Sequence, residues 1–193
     1  GANIWMHNNF LIERSGKMSK SSGEFLRVQL LIDKGFHPLA YRLMCLQAHY
    51  RSELEFSWEG LQAAFVRLKR LVMAVEKIRY QFVDNLRNQA AAGASESIDW
   101  FAWQLNPVFG VLDAKLLGIV EQLDTAISDD LNTAVALTLL DELIAMKKIE
   151  VQQKFGALGV FNSVLGLDLV KASRADLRIR PKAAVITEAE IEA

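Results

Sequence analysis

Residues 57–92 read SWEGLQAAFVRLKRLVMAVEKIRYQFVDNLRNQAAA. Leu61, Phe65, Leu68, Val72, Val75, Ile78, Phe82 and Leu86 recur at steps of three and four, which puts them on one broad stripe of a long helix. Ser57 stands in front as an N-cap, its hydroxyl placed to accept from a first-turn N–H. The polar side carries Arg67, Lys69, Arg70, Lys77, Arg79 and Arg87. A helix this long with one apolar side must hide that side against other helices, and the chain supplies them. Leu39, Leu43, Leu46 and Tyr50 repeat behind Pro38, a residue suited to the first helical position, so a helix is expected from about Pro38 to Tyr50. Leu112, Leu116, Val120, Leu123 and Ile127 form another stripe. Val135, Leu139, Leu143 and Met146 form a third, with Asn132 or Thr133 as N-cap, and Phe155, Leu158, Phe161 and Leu165 a fourth that stops at Gly166, a C′ glycine. The fold class read from this pattern is mainly α, an antiparallel helical bundle preceded by a short extended segment and an exposed loop.

The 193 residues are 51% apolar and balance 22 basic against 23 acidic side chains. A net charge of −1 excludes a protein held to nucleic acid by bulk positive charge and leaves only local basic patches for that role. No apolar run approaches the roughly 20 residues of a membrane span, and the single Cys45 excludes an intrachain disulfide. A cytoplasmic location is therefore expected, and the protein is taken to be a monomer. His7, His37, His49 and Cys45 show no metal-ligand spacing, so no metal is assigned to this chain. The divisions expected are 1–36, ending in the exposed loop; 37–92, connecting helices; 93–111, a small-residue and aromatic linker; 112–170, the bundle; and 171–193, a basic tail leading into a short helix. Trp100-Phe101-Ala102-Trp103 in the linker is read as loop packing rather than a base-stacking platform. Thr187 and Glu190 form a capping box with only a few residues behind it. Because a helix so short is unstable alone, the chain is expected to be cut at both ends.

One segment asks for a chemical reason. Lys17-Met18-Ser19-Lys20-Ser21, between Gly16 and Gly23, places two lysines three apart among small hydroxyl residues. Such a loop can present point charges and backbone N–H groups to a polyphosphate. Where pyrophosphate leaves ATP, charge builds on the leaving group, and a lysine that tightens there lowers the barrier. A solvated lysine-serine turn is the ordinary alternative reading of the same composition.

The string Lys17 to Ser21 matches the KMSKS signature of class I aminoacyl-tRNA synthetases without a mismatch, and its surroundings resemble cysteinyl-tRNA synthetase. The residues that carry the resemblance are Trp5-Met6-His7-Asn8, Gly23-Glu24-Phe25, His49-Tyr50-Arg51-Ser52, Phe56-Ser57-Trp58-Glu59, and Ala126 to Thr133, which is similar to an acidic family segment ending Asp-Asp-Phe-Asn-Thr-Pro. Ala134 stands where that segment has Pro, and Ser22-Gly23-Glu24-Phe25 replaces Leu-Gly-Asn-Phe. The resemblance implies an ATP-dependent cysteine–tRNA ligase, with Lys20 and Lys17 as catalytic lysines on the ATP phosphates and Ser19 and Ser21 shaping the loop. It implies ATP, cysteine and tRNA(Cys) as substrates and partners. It also implies that the HIGH signature and the zinc ligands lie upstream, so that this C-terminal portion alone is expected not to aminoacylate. Candidate tRNA contacts are Arg67, Lys69, Arg70, Lys77 and Arg79, with the basic tail (Arg174, Arg178, Arg180, Lys182) as a second candidate. The stretch 96–168 has eleven acidic residues against four lysines and is a poor backbone binder. Two alternatives remain open at this point: a fragment of the related mycothiol cysteine ligase, and a non-catalytic helical module that binds tRNA or another protein.

Overall fold

A computed structural model of the chain describes residues 2–13, 16–17, 27–89 and 113–179. The described residues include three short strands, β1 (Leu11–Glu13), β2 (Gly16–Lys17) and β3 (Leu54–Phe56). β1 is central, antiparallel to β2 with Ile12 opposite Lys17, and parallel to β3 with Leu11 opposite Leu54. The helices are α1 (Val28–Asp33), α2 (Pro38–Leu46), α3 (Trp58–Gln89), α4 (Ala114–Ser128), α5 (Thr133–Ala145) and α6 (Val151–Leu165). The mainly α class stands, with this small sheet attached to the bundle.

α3 is the spine. Ser57 caps it as its position predicts, accepting from the Gly60 N–H at 3.0 Å. Leu61, Phe65, Leu68, Val72, Val75, Ile78 and Phe82 are all buried, with Leu86 packed on the edge of the same core. Each fully buried side chain of this size contributes about 1.5–3 kcal/mol of transfer free energy, so one face of α3 is ample to hold the bundle against it. α6 is the most enclosed helix: Phe155, Leu158, Phe161 and Leu165 are buried, and Phe155 stacks on Phe82 of α3 at 4.8 Å. Gly166 ends α6 at φ +60°, the left-handed conformation its sequence position calls for. Arg42 of α2 donates to the Leu165 carbonyl at 2.7 Å, tying that terminus to the neighbouring helix.

Several details differ from expectation. α2 ends at Leu46, not Tyr50, because the backbone and side chains of 49–51 bond to partners outside the helix. Its N-cap is His37, whose Nδ1 accepts from the Leu39 N–H at 3.2 Å. The buried side of α4 is Leu116, Ile119, Leu123 and Ala126; Val120 and Ile127, each one position further along, are only partly covered. On α5, Val135 faces solvent while Ala136, Leu137, Leu139, Leu140 and Leu143 are buried. Core packing continues past α6 through Leu167, Leu169, Val170, Ala172 and Leu177. The linker 93–111, its Trp100–Trp103 stretch, and the capping box at Thr187 lie outside the described residues.

Candidate functional site

Of the signature, the structure describes Lys17 as backbone in β2; Met18, Ser19, Lys20 and Ser21 lie outside the described residues. What is visible is the base on which that loop stands. β1 leads into it and is pinned on both sides, by β2 and by β3. Immediately before β1, the Asn9 N–H donates to the Tyr50 carbonyl at 2.8 Å and Asn9 Nδ2 to the Arg51 carbonyl at 3.1 Å. The Leu54 N–H donates to the Phe10 carbonyl at 3.2 Å. The strand entering the signature is thus fastened to the turn that follows α2.

That turn in its other direction grips the bundle. The α4–α5 connection runs through Asp130 and Leu131, both at φ +57°. For a residue such as Leu131 the left-handed region costs on the order of 1–2 kcal/mol, and it persists because its surroundings impose it. Arg51 Nε donates to Asp130 Oδ2 at 2.7 Å and its Nη2 to Oδ1 at 3.1 Å, a bidentate pair. The Tyr50 hydroxyl donates to the same carboxylate. His49 Nε2 lies 2.8 Å from the Asp130 carbonyl, while its Nδ1 accepts from the Arg51 N–H at 3.3 Å, the pattern of an imidazole carrying its proton on Nε2. The hydrogen bonds from Arg51 and then from Tyr50 hold the Asp130 carboxyl down at about 2, well below the ordinary carboxylate range. The same bond pushes the Tyr50 phenol up. Thr133 Oγ1 donates to the Leu46 carbonyl at 2.8 Å, so the cap of α5 falls to Asn132, whose side chain accepts from the Val135 N–H at 3.2 Å. Two motifs read separately in the sequence, His49–Ser52 and Asp129–Thr133, are one hydrogen-bonded unit.

A cleft of about 330 Å³ opens beside this unit, lined among others by Asn9, Cys45, His49, Tyr50, Leu131 and Thr133. Its lining is chiefly apolar. Burial pushes the Cys45 thiol up, against the opposing effect of a bond from Tyr41. Among the described residues no group of three His, Cys, Asp or Glu side chains gathers as a metal site.

The five basic candidates on α3 do not share one face. At about 100° per residue, Arg67, Arg70 and Lys77 fall within roughly 80° of one another, while Lys69 and Arg79 point elsewhere. Arg67 Nη2 sits 2.6 Å from Asp141 of α5. Lys69 Nζ lies 4.0 Å from the Phe65 ring centroid. Arg79, its side chain 13% exposed, donates to the carbonyls of Val170 and Lys171 and lies 3.6 Å from Glu76. Arg70 and Lys77 are exposed, and no ion pair among the described residues engages them. Of the basic tail, Arg174 and Arg178 are exposed; Arg180 and Lys182 lie outside the described residues.

The family model for the class I (C) tRNA synthetase catalytic domain matches residues 1–66, which take in all three strands and the first turns of α3. The chain is 55% identical over 193 residues to a cysteine–tRNA ligase of Novosphingobium aromaticivorans, covering 100% of this chain and 34% of that protein. It is 42% identical over 202 residues to one of Zymomonas mobilis (97% of this chain, 38% of that one), and 35% identical over 176 residues to one of Treponema denticola (89% and 34%). The chain spans roughly a third of the length of these curated relatives. No helix among the described residues is long and apolar enough to cross a membrane.

Proposed function

We propose, from the premise that this chain belongs to the cysteinyl-tRNA synthetase family, that it forms the signature-loop and helical portion of an enzyme that activates cysteine with ATP and transfers it to tRNA(Cys). In the first step a cysteine carboxylate oxygen bonds to the α-phosphorus of ATP and pyrophosphate leaves. In the second, a terminal ribose hydroxyl of the tRNA takes the cysteinyl group and AMP leaves. Lys20 carries the charge of the departing phosphates, seconded by Lys17, with Ser19 and Ser21 completing the cradle. Zinc, implied by the family resemblance, finds no ligand set among the described residues, and nothing in this reading is routed through it. Arg70 and Lys77 are the α3 cations proposed to meet tRNA phosphates. The enzyme is proposed to act as a cytoplasmic monomer.

The observation that supports this reading most is the fastening of the strand before the signature to the His49–Ser52 turn, and of that turn to Asp130. A solvated lysine-serine turn has no need of such a foundation; a loop that must reach phosphates with fixed geometry does. The names of the relatives favour tRNA charging over the mycothiol-type ligation. The test is cysteine-dependent pyrophosphate exchange by the complete ligase that carries this segment, with and without tRNA(Cys). Lys20→Ala is expected to lower the exchange rate on the order of 100-fold with little change in cysteine affinity. An unchanged rate would remove the phosphate role, and cysteine activation without tRNA charging would remove the ligase reading.

A further inference from the structure

We propose that Asp130, which lies in the helical bundle, is a positioning residue for adenylate formation at the signature loop. The inference rests on the function proposed above and adds to it a residue outside both the signature and the strands. The path is continuous. Asp130 holds Arg51 through two bonds and Tyr50 through a third, and its carbonyl meets His49. The carbonyls of Tyr50 and Arg51 hold Asn9. One residue further, the Phe10 carbonyl accepts from Leu54, and β1 then pairs with the strand that contains Lys17.

A surface ion pair placed for stability alone is the rival explanation, and the geometry argues against it. The side chains of Arg51 and Asp130 are 63% and 44% exposed, a setting in which ion pairs contribute little to stability. Yet three consecutive residues converge on one aspartate whose backbone, with that of Leu131, is held in the left-handed region. Three side chains gathered on one exposed aspartate fix where the turn sits more than they stabilise the fold. That turn is bonded both to the strand before the signature and to the α4–α5 connection.

Asp130→Asn is the informative change. Asn tolerates the left-handed backbone as well as Asp does, and its single oxygen cannot accept Tyr50 and both Arg51 bonds together. In the complete ligase, Asp130→Asn is expected to lower kcat for cysteine-dependent pyrophosphate exchange about tenfold with the cysteine KM unchanged, and to keep the melting temperature within about 2 °C. Arg51→Ala should match it, and the double variant should be no slower than either single one, because both remove the same link. Tyr50→Phe, expected to fall about threefold, serves where Asp130→Asn does not fold. Exchange within twofold of wild type in whichever variant is folded, or losses that multiply in the double variant, overturns the positioning role. The wild-type ligase in the same assay separates the two readings: no cysteine activation removes the proposed function and this inference with it, whereas an active wild type matched by the folded variant removes only the inference.

Discussion

Replacing Arg79 by Ala separates a structural arginine from a nucleic-acid contact. Its Nη1 donates to the Val170 carbonyl at 3.1 Å and to the Lys171 carbonyl at 2.5 Å. Hydrogen bonds from a charged donor contribute about 1.5–3 kcal/mol when made away from water. The Val170 bond is part-buried and counts nearly in full, whereas the Lys171 carbonyl is exposed and water replaces the guanidinium there. The i,i+3 pair with Glu76 adds a few tenths of a kcal/mol. The expected loss is about 2–3 kcal/mol, which for a chain of this size lowers Tm by roughly 4–12 °C. Thermal denaturation followed by circular dichroism measures it. The second measurement is tRNA affinity against salt, in which each lost phosphate contact flattens the slope of log K against log[salt] by about 0.7–0.9. Arg70→Ala and Lys77→Ala are expected to flatten it and leave Tm in place; Arg79→Ala is expected to lower Tm and leave the slope unchanged. An Arg79→Ala variant with unmoved Tm and a flattened slope would refute the assignment.

Gly166→Ala places a Cβ 2.7 Å from Arg42 Nη2 at a residue with φ +60°, so a loss of about 1–2 kcal/mol in urea denaturation is expected from the backbone alone, with more if Arg42 loses the Leu165 carbonyl. Lys154 is buried and its Nζ donates to the Ile144 and Met146 carbonyls at 2.7 Å each, closing the end of α5; Lys154→Met is expected to destabilise by about 1–3 kcal/mol at neutral pH. Burial lowers the Lys154 pKa below 10.5, so the folded state holds that proton less tightly than the unfolded one. Wild-type stability, measured against Lys154→Met, should therefore rise as pH climbs from the folded-state pKa towards 10.5, and a falling difference would contradict the assigned burial.

The helices were legible where local signals decide them. α3 needed only its period and Ser57, and α6 only its stripe and Gly166. The sheet was not legible, since strands of three and two residues are too short to show alternation, and the pairing of Leu11 with Leu54 joins segments far apart in the chain. The end of α2 was misplaced for a related reason. Apolar spacing continues to Tyr50, but Tyr50 gives its carbonyl to Asn9 and its hydroxyl to Asp130. Those partners are tertiary, and no window of local sequence contains them. His49–Ser52 and Asp129–Thr133 were each visible as motifs, while their union depends on the way α4 and α5 return against α2.

The same distinction governs charge. A count along α3 treats Arg67, Lys69, Arg70, Lys77 and Arg79 as five equal cations. Folding makes them unequal. Arg67 is paired with Asp141, Lys69 lies over Phe65, and Arg79 is committed to two carbonyls that close the segment after α6. A phosphate can draw these side chains out only by breaking what they already hold, and a net gain then requires the new contact to exceed the old one. Arg70 and Lys77 have no such cost among the described residues, and they stand about two turns apart, beside exposed Val66, Met73 and Tyr80. The RNA surface proposed on α3 therefore falls to the cations that folding has not already engaged, a property that burial and hydrogen bonding decide and composition does not.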